Sequence, residues 1–152
     1  MKTLARHHDQ ARILARFRGL SPDARRQWGR MSAHQMVCHL SDSLLMAIGE
    51  RATTSASGLF RRTLLKWIVL YVPVRWPTGV ETSPELDQER GGTPPVEFAS
   101  DVVRVEALVG HLVAQAASFA WPPHPLFGTM SRAAWLRWGY LHLDHHLRQF
   151  GR

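Results

Sequence analysis

Ser131-Arg-Ala-Ala-Trp135-Leu-Arg-Trp138-Gly-Tyr-Leu-His142-Leu-Asp-His145-His146-Leu-Arg-Gln149-Phe150-Gly151 is the stretch from which the fold is read. Serine is a favoured N-cap and glycine a favoured helix terminator, so the segment predicts one helix over 132–150. At about 100° per residue, with His142 at zero, His146 falls near 40°, Trp135 near 20° and Gln149 near 340°. Trp138 and His145 follow at about 320° and 300°. Tyr140, Arg137, Asp144 and Arg148 occupy the opposite side, and Asp144 and Arg148 form an i,i+4 pair with the acid N-terminal. That pattern assigns the Tyr140 side to solvent and the histidine–tryptophan side to the interior.

Upstream, the same reasoning yields more helices and no strand alternation. Residues 3–18 read as a helix with Leu4, Ala11, Leu14 and Phe17 on its apolar side, ended by Gly19. Ser21-Pro22-Asp23 has the composition of a helix start and predicts a short helix to Gly29. Ser32-x-x-Gln35 is a capping-box pattern opening a helix over 33–48. The apolar stretch 58–72 predicts another, stopped by Pro73. Five prolines and three glycines between Pro73 and Pro95 mark a long irregular connection. Residues 98–119 then read as a helix with Val103, Ala107 or Leu108, Gly110 or His111, and Ala114 on one side, and Trp121–Gly128 breaks the pattern. The expected fold is all-α: one domain over 1–152, four principal helices in an antiparallel bundle, with additional short helices and the long Pro/Gly-rich connection.

Composition narrows the function classes. The 152 residues are 45% hydrophobic and 20% charged, a globular balance. Nine histidines are unusual, and one cysteine excludes an intrachain disulfide or an all-thiolate metal site. The N-terminal residues lack an unbroken apolar core of the signal-peptide kind, and the longest apolar run, 67–74, is too short to span a bilayer. A cytoplasmic location is expected. The net charge of +7 is local, because residues 1–75 carry 13 basic and 4 acidic groups and residues 76–152 carry 6 and 8. Seventeen of the 19 basic residues are arginines. Arg6, Arg12, Arg16, Arg18, Arg25, Arg26 and Arg30 could form a nucleic-acid surface, but no helix-turn-helix, zinc-finger or aromatic-interleaved motif accompanies them.

His142 and His146 stand one helical turn apart, where two imidazoles can reach one ion. Histidine pairs also occur as hydrogen-bonded core residues, so a third inward-facing ligand is needed. On the helix 33–48, His39, Gln35, Asp42, Ser43 and Met46 share one side, with His34 and Ser41 opposite. Three histidines from two helices would leave open coordination positions, the arrangement of a catalytic site. Asp42 could orient an imidazole or accept a proton, or sit as a solvated edge residue; Glu50 is too far along the helix to be a ligand. Gln35, Asp42 and Gln149 are the candidates for positioning a reacting group. His145 reads as an interface or hydrogen-bonding neighbour, His124 as a pocket-mouth or turn residue, and Cys38 as a small core residue. Trp135 and Trp138 read as core or pocket wall, and His7 and His8 as solvated.

Several strings carry a family resemblance. His39 with His142-x-x-x-His146 resembles the metal triad of the DinB-like superfamily of metalloenzymes. Trp28-x-x-Met31-x-x-x-Gln35-Met36-x-x-His39, Thr82-x-Pro84-Glu85-Leu86-Asp87, His124-Pro-Leu-Phe-Gly128 and His142-Leu-Asp-His145-His146-Leu-Arg-Gln149-Phe150-Gly151 resemble one uncharacterised branch of it. The resemblance spans roughly residues 20–151 and is looser over 51–75. It implies an up-down-down-up four-helix bundle and frequent homodimerisation. It also implies a divalent ion on the three histidines, zinc or nickel foremost, with manganese and iron as alternatives. Relatives in the superfamily include thiol-dependent transferases and an isomerase, so the resemblance implies activation of water or a low-molecular-weight thiol toward a small-molecule substrate. The Pro-rich segment 73–95 departs from the better-studied relatives, so their substrate pockets do not carry over. A second reading is a non-catalytic association protein with vestigial histidines and a greasy face at 67–72; a nucleic-acid binder ranks below it.

Overall fold

The computed structural model describes residues 1–54, 66–72, 75–80 and 82–152. Among these residues all regular secondary structure is helical. The elements are α1 (His7–Arg18), α2 (Ala33–Ala47), a 3-10 turn (Pro84–Leu86), α3 (Phe98–Ala114) and α4 (Arg132–Gln149). Residues 66–71 are helical as well; the rest of the helix predicted over 58–72 lies outside the described residues. The only β-type pairing among them is an isolated bridge between His124 and Gly128. No described helix is long and apolar enough to cross a membrane.

The start signals of α2 and α4 act as predicted. The Ser32 hydroxyl accepts from Gln35 N–H at 3.1 Å while Gln35 Oε1 accepts from Ser32 N–H at 2.8 Å, a complete capping box. Ser131 accepts from Ala134 N–H at 3.2 Å and opens α4. Helix α2 packs against α3 and α4, and α1 packs against α4. Their shared core is built on Met36, Val37, Leu40, Val105, Val109, Leu112, Leu143 and Leu147, all essentially buried.

Four expectations are corrected. The short helix predicted from Pro22 to Gly29 is absent, and Ser21–Ala24 forms only a turn closed by Ala24 N–H on Ser21 O at 3.0 Å. The segment has no apolar periodicity to bury, and the Gln27 N–H is taken by Gln149 O at 2.7 Å. Helix α3 ends at Ala114 and not at residue 119, because Arg132 of α4 takes over the exposed carbonyls of Val113 and Gln115 at 2.8 and 3.2 Å. Its buried side is Val105, Leu108, Val109 and Leu112, whereas Val103 is 65% exposed. On α1 the buried apolar positions are Ile13 and Phe17, Ala11 being exposed.

Helix α4 differs from expectation as well. Its Tyr140 side is not a solvent face: Tyr140 is buried, and Arg137, Asp144 and Arg148 are half-buried. The N-terminal residues lie across it, with Leu4 N–H on Leu136 O at 3.1 Å and the Arg137 guanidinium on the carbonyls of Leu70 and Lys2. Arg16 of α1 reaches Asp144 at 2.5 Å, and Arg148 holds the other carboxylate oxygen at 3.0 Å. Long arginine stems can cover apolar surface while their heads bond carbonyls and carboxylates, so a polar helix face need not face water. Helix α4 is therefore central. At Gly139, a Cβ would sit 2.8 Å from Leu4 Cδ1, which shows how closely the N-terminal segment approaches.

Candidate metal centre

The packing of α2 on α4 brings three imidazoles together. His142 Nε2 lies 3.3 Å from His39 Nε2 and 3.1 Å from His146 Nε2. Two nitrogens bound to one tetrahedral ion at 2.0–2.1 Å would be about 3.3 Å apart, so these two spacings fit such an ion, and all three ligand atoms lie within 4.8 Å of one another. His39 and His146 are buried, and His142 is the most accessible of the three.

The far side of each ring decides what its Nε2 can do. His39 Nδ1 is 2.8 Å from the carbonyl oxygen of Leu86. A carbonyl only accepts, so Nδ1 carries the proton and Nε2 presents a lone pair. His146 Nδ1 is 3.1 Å from Gln149 Oε1. The Gln149 amide is oriented by donating Nε2–H to Trp28 O at 2.9 Å, which turns its oxygen toward His146. His146 Nε2 therefore presents a lone pair too. Of the two lone pairs facing His142 Nε2, a hydrogen there could satisfy only one, whereas a cation satisfies all three nitrogens. This donor set fits a divalent ion.

Burial pushes all three imidazoles below the ordinary histidine range, and for His142 and His146 well below it. Their imidazole neighbours add to the effect at those two positions, since a proton on one ring repels a proton on the next. The rings are thus held in the neutral form that metal coordination requires.

Sequence reasoning did not foresee what orients His39. The Leu86 carbonyl belongs to the 3-10 turn, and the following residues are fastened to α2 through Asp42. Its fully buried carboxylate accepts from Thr93 N–H and Thr93 Oγ1, each at 2.7 Å, and from Gln88 Nε2 at 2.9 Å, and it pairs with Arg51 at 3.0 Å. Arg51 also donates to the carbonyls of Glu85 and Gly91 at 2.9 and 2.7 Å. Asp42 is therefore neither a solvated edge nor the partner of a histidine ring; it is the anchor of the segment that supplies that partner. A backbone carbonyl in an irregular segment has no sequence signature.

The other candidates separate clearly. Gln35 is committed to the capping box, whereas Gln149 bonds a trio histidine directly. Its amide passes over Gly29, whose φ is +74° and where a Cβ would lie 2.5 Å from Gln149 Nε2. His145 stands edge-on to His146 at 5.1 Å between centroids, with Trp28 and Trp76 at 6.0 and 5.8 Å. Its pKa is lowered by burial and then by the positive charge of Arg148. His124 Nδ1 accepts from the N–H groups of Leu126 and Phe127 at 3.1 and 3.3 Å, a turn-stabilising role, and burial pushes its pKa down to about 3. Trp138 lies between His124 and the site, edge-on to the first and stacked on His142 at 4.8 Å between centroids. His7, His8 and His111 are exposed, as is Glu50.

A second donor group went unforeseen, because it needs α3. Ligand atoms of His34, Cys38 and Asp101 also lie within 4.8 Å of one another. Asp101 Oδ2 is 2.7 Å from His34 Nε2 and 3.6 Å from Cys38 Sγ. Hydrogen bonds already join the three, and Cys38 is pushed up to about 12 by burial and the negative charge of Asp101.

Comparison with known proteins supplies the lineage. A family model described as "Protein of unknown function (DUF1569)" matches residues 2–152. The chain belongs to the DUF1569 family. No curated protein and no solved structure matches it. The DUF1569 match takes in α2, the 3-10 turn and α4, and so the trio together with Leu86 and Gln149.

Proposed function

We propose that this DUF1569 protein is a metal-dependent enzyme of the DinB-like type, in which His39, His142 and His146 hold a divalent ion, zinc or nickel foremost. The observation that carries the reading is the convergence of three neutral imidazoles whose Nδ1–H groups, at His39 and His146, are already taken by Leu86 O and Gln149 Oε1. When bound, the ion supplies Lewis acidity toward water or a small thiol. The chain's own groups do the rest. Leu86 and Gln149 fix two ring orientations. The indoles of Trp138 and Trp76, 4.8 and 6.1 Å from His142 between centroids, restrict solvent beside the most accessible ligand. Cys38 is buried against Asp101 away from the trio, so a reacting thiol has to arrive with the substrate. A transferase or hydrolase acting on a small molecule fits this arrangement.

The test is the metal content of tag-free protein after growth in zinc, nickel, manganese and iron, together with His146→Ala. About one ion per chain in the parent and loss of it in the variant support the reading; a parent free of metal after every growth sinks it. A second reading, association through a helical face, is favoured by the exposure of Trp67, Ile68 and Tyr71. It predicts a homodimer that Trp67→Ser dissociates in sedimentation, and it is compatible with a functional metal site. Nucleic-acid binding is less favoured, since Arg16, Arg18 and Arg30 form ion pairs with Asp144, Glu106 and Asp87.

A further inference from the structure

Beside the trio lies a cavity of about 370 Å³ whose wall includes His145 and Trp76, the residues that pack on His146 and His142. Trp28 forms another wall, Arg75 and Arg148 bring positive charge to the lining, and no aspartate or glutamate side chain belongs to it. Arg75 has no hydrogen-bond or ion-pair partner among the described residues. Arg148 spends its Nε on Asp144, but Asp144 is shared with Arg16, so one carboxylate faces two guanidiniums and positive charge remains in excess. The indole walls are anchored. Trp76 Nε1–H donates to Val69 O at 3.0 Å, and both indoles flank the His145 ring.

A cavity with guanidiniums, flat apolar walls and no acidic side chain selects for charge and for shape. Guanidinium forks match carboxylate or phosphate oxygens, and indole faces favour a planar frame. The volume suits a small organic molecule and exceeds what an inorganic oxyanion fills. We infer that this cavity is a subsite for a planar organic anion, a carboxylate on an aromatic or conjugated frame, held by Arg75 and Arg148 between Trp28 and Trp76. That such an anion is also what the metal centre acts on rests on the function proposed above; the anion subsite itself does not.

Calorimetric titration tests the subsite with benzoate, benzyl alcohol and inorganic phosphate, on protein with and without added nickel. The expected result is measurable binding of benzoate, at least tenfold weaker binding of benzyl alcohol, and weaker binding of phosphate than of benzoate. Arg75→Gln and Arg148→Gln should each weaken benzoate about tenfold, the loss of one charge-assisted hydrogen bond. Trp76→Leu should weaken benzoate and leave phosphate unchanged. Arg75 is exposed, so its variant remains informative if Arg148→Gln unfolds, with circular dichroism checking the fold. Failure of benzoate to bind, equal binding of benzyl alcohol, or benzoate affinity untouched by Arg75→Gln overturns the subsite. Phosphate binding as tight as benzoate overturns the planar frame. Nickel binding without benzoate binding leaves the metal reading standing and the subsite refuted; benzoate binding without nickel binding does the reverse.

Discussion

Replacing Asp42 by alanine distinguishes an anchoring carboxylate from a catalytic one. In the native protein it is fully buried, accepts three hydrogen bonds from Thr93 and Gln88, and pairs with Arg51. Breaking a buried ion pair by removing one partner costs about 3–5 kcal/mol. Arg51 is 23% exposed and can partly rehydrate, so the lower end, about 3 kcal/mol, is expected. With a urea slope of about 2 kcal/mol/M for a chain of this size, the midpoint should fall by roughly 1.5 M in a melt followed by far-ultraviolet circular dichroism. Asp42→Asn should fall nearly as far, since its amide nitrogen cannot accept from Thr93 or Arg51. Metal affinity should weaken as well, because the Leu86 carbonyl loses its support. A midpoint shift below about 0.3 M, roughly 0.6 kcal/mol at that slope, would refute the anchoring argument. If metal binding were then lost at unchanged stability, Asp42 would belong at the ion.

Gln149→Leu removes the acceptor of the His146 Nδ1–H and should lower metal affinity about 10–100-fold, read by competition with a chromophoric chelator; unchanged affinity would show that the ring needs no such support. Stability should fall with acidification, because His124 is neutral when folded and titrates near its ordinary value of about 6.5 when unfolded. The unfolded chain binds the extra proton between those values, so the contribution present above pH 6.5 is lost toward pH 3 at up to about 1.4 kcal/mol per pH unit. Urea melts of metal-free protein at pH 6.5 and 4.5 check this, and equal stabilities at both would contradict it. Ser32→Ala breaks the capping box and should cost about 1 kcal/mol in the same assay; no loss would mean that solvent replaces the cap.

The capping boundaries of α2 and α4, the i,i+4 pairing of His142 and His146 and the side of α2 that carries His39 were legible because each is a local pattern projected onto a helix; that the two helices bring these sides together was implied only by the family resemblance. Asp42 and Gln35 shared the right side of α2 with His39, yet one is used by Thr93, Gln88 and Arg51 and the other by Ser32. A helical wheel gives direction and not partner, and two partners of Asp42, Gln88 and Thr93, come from an irregular segment about 50 residues away in sequence. The polar side of α4 misled for the same reason. Its charges point at Arg16 and at the backbone carbonyls of Lys2 and Leu70, contacts that periodicity cannot show. The His34–Cys38–Asp101 group needed the register of α3 against α2. That register depends on Val105, Leu108, Val109 and Leu112 being the buried side, and not Val103.

The stacking of Trp138 on His142 has an optical consequence. Open-shell transition ions such as nickel(II) quench the emission of an indole held this close, whereas closed-shell zinc(II) does not quench in that way. On the proposed metal site, the ratio of emission in zinc- and nickel-treated samples should therefore report binding at the trio without a label, and a Trp138→Phe control separates its signal from that of the other indoles.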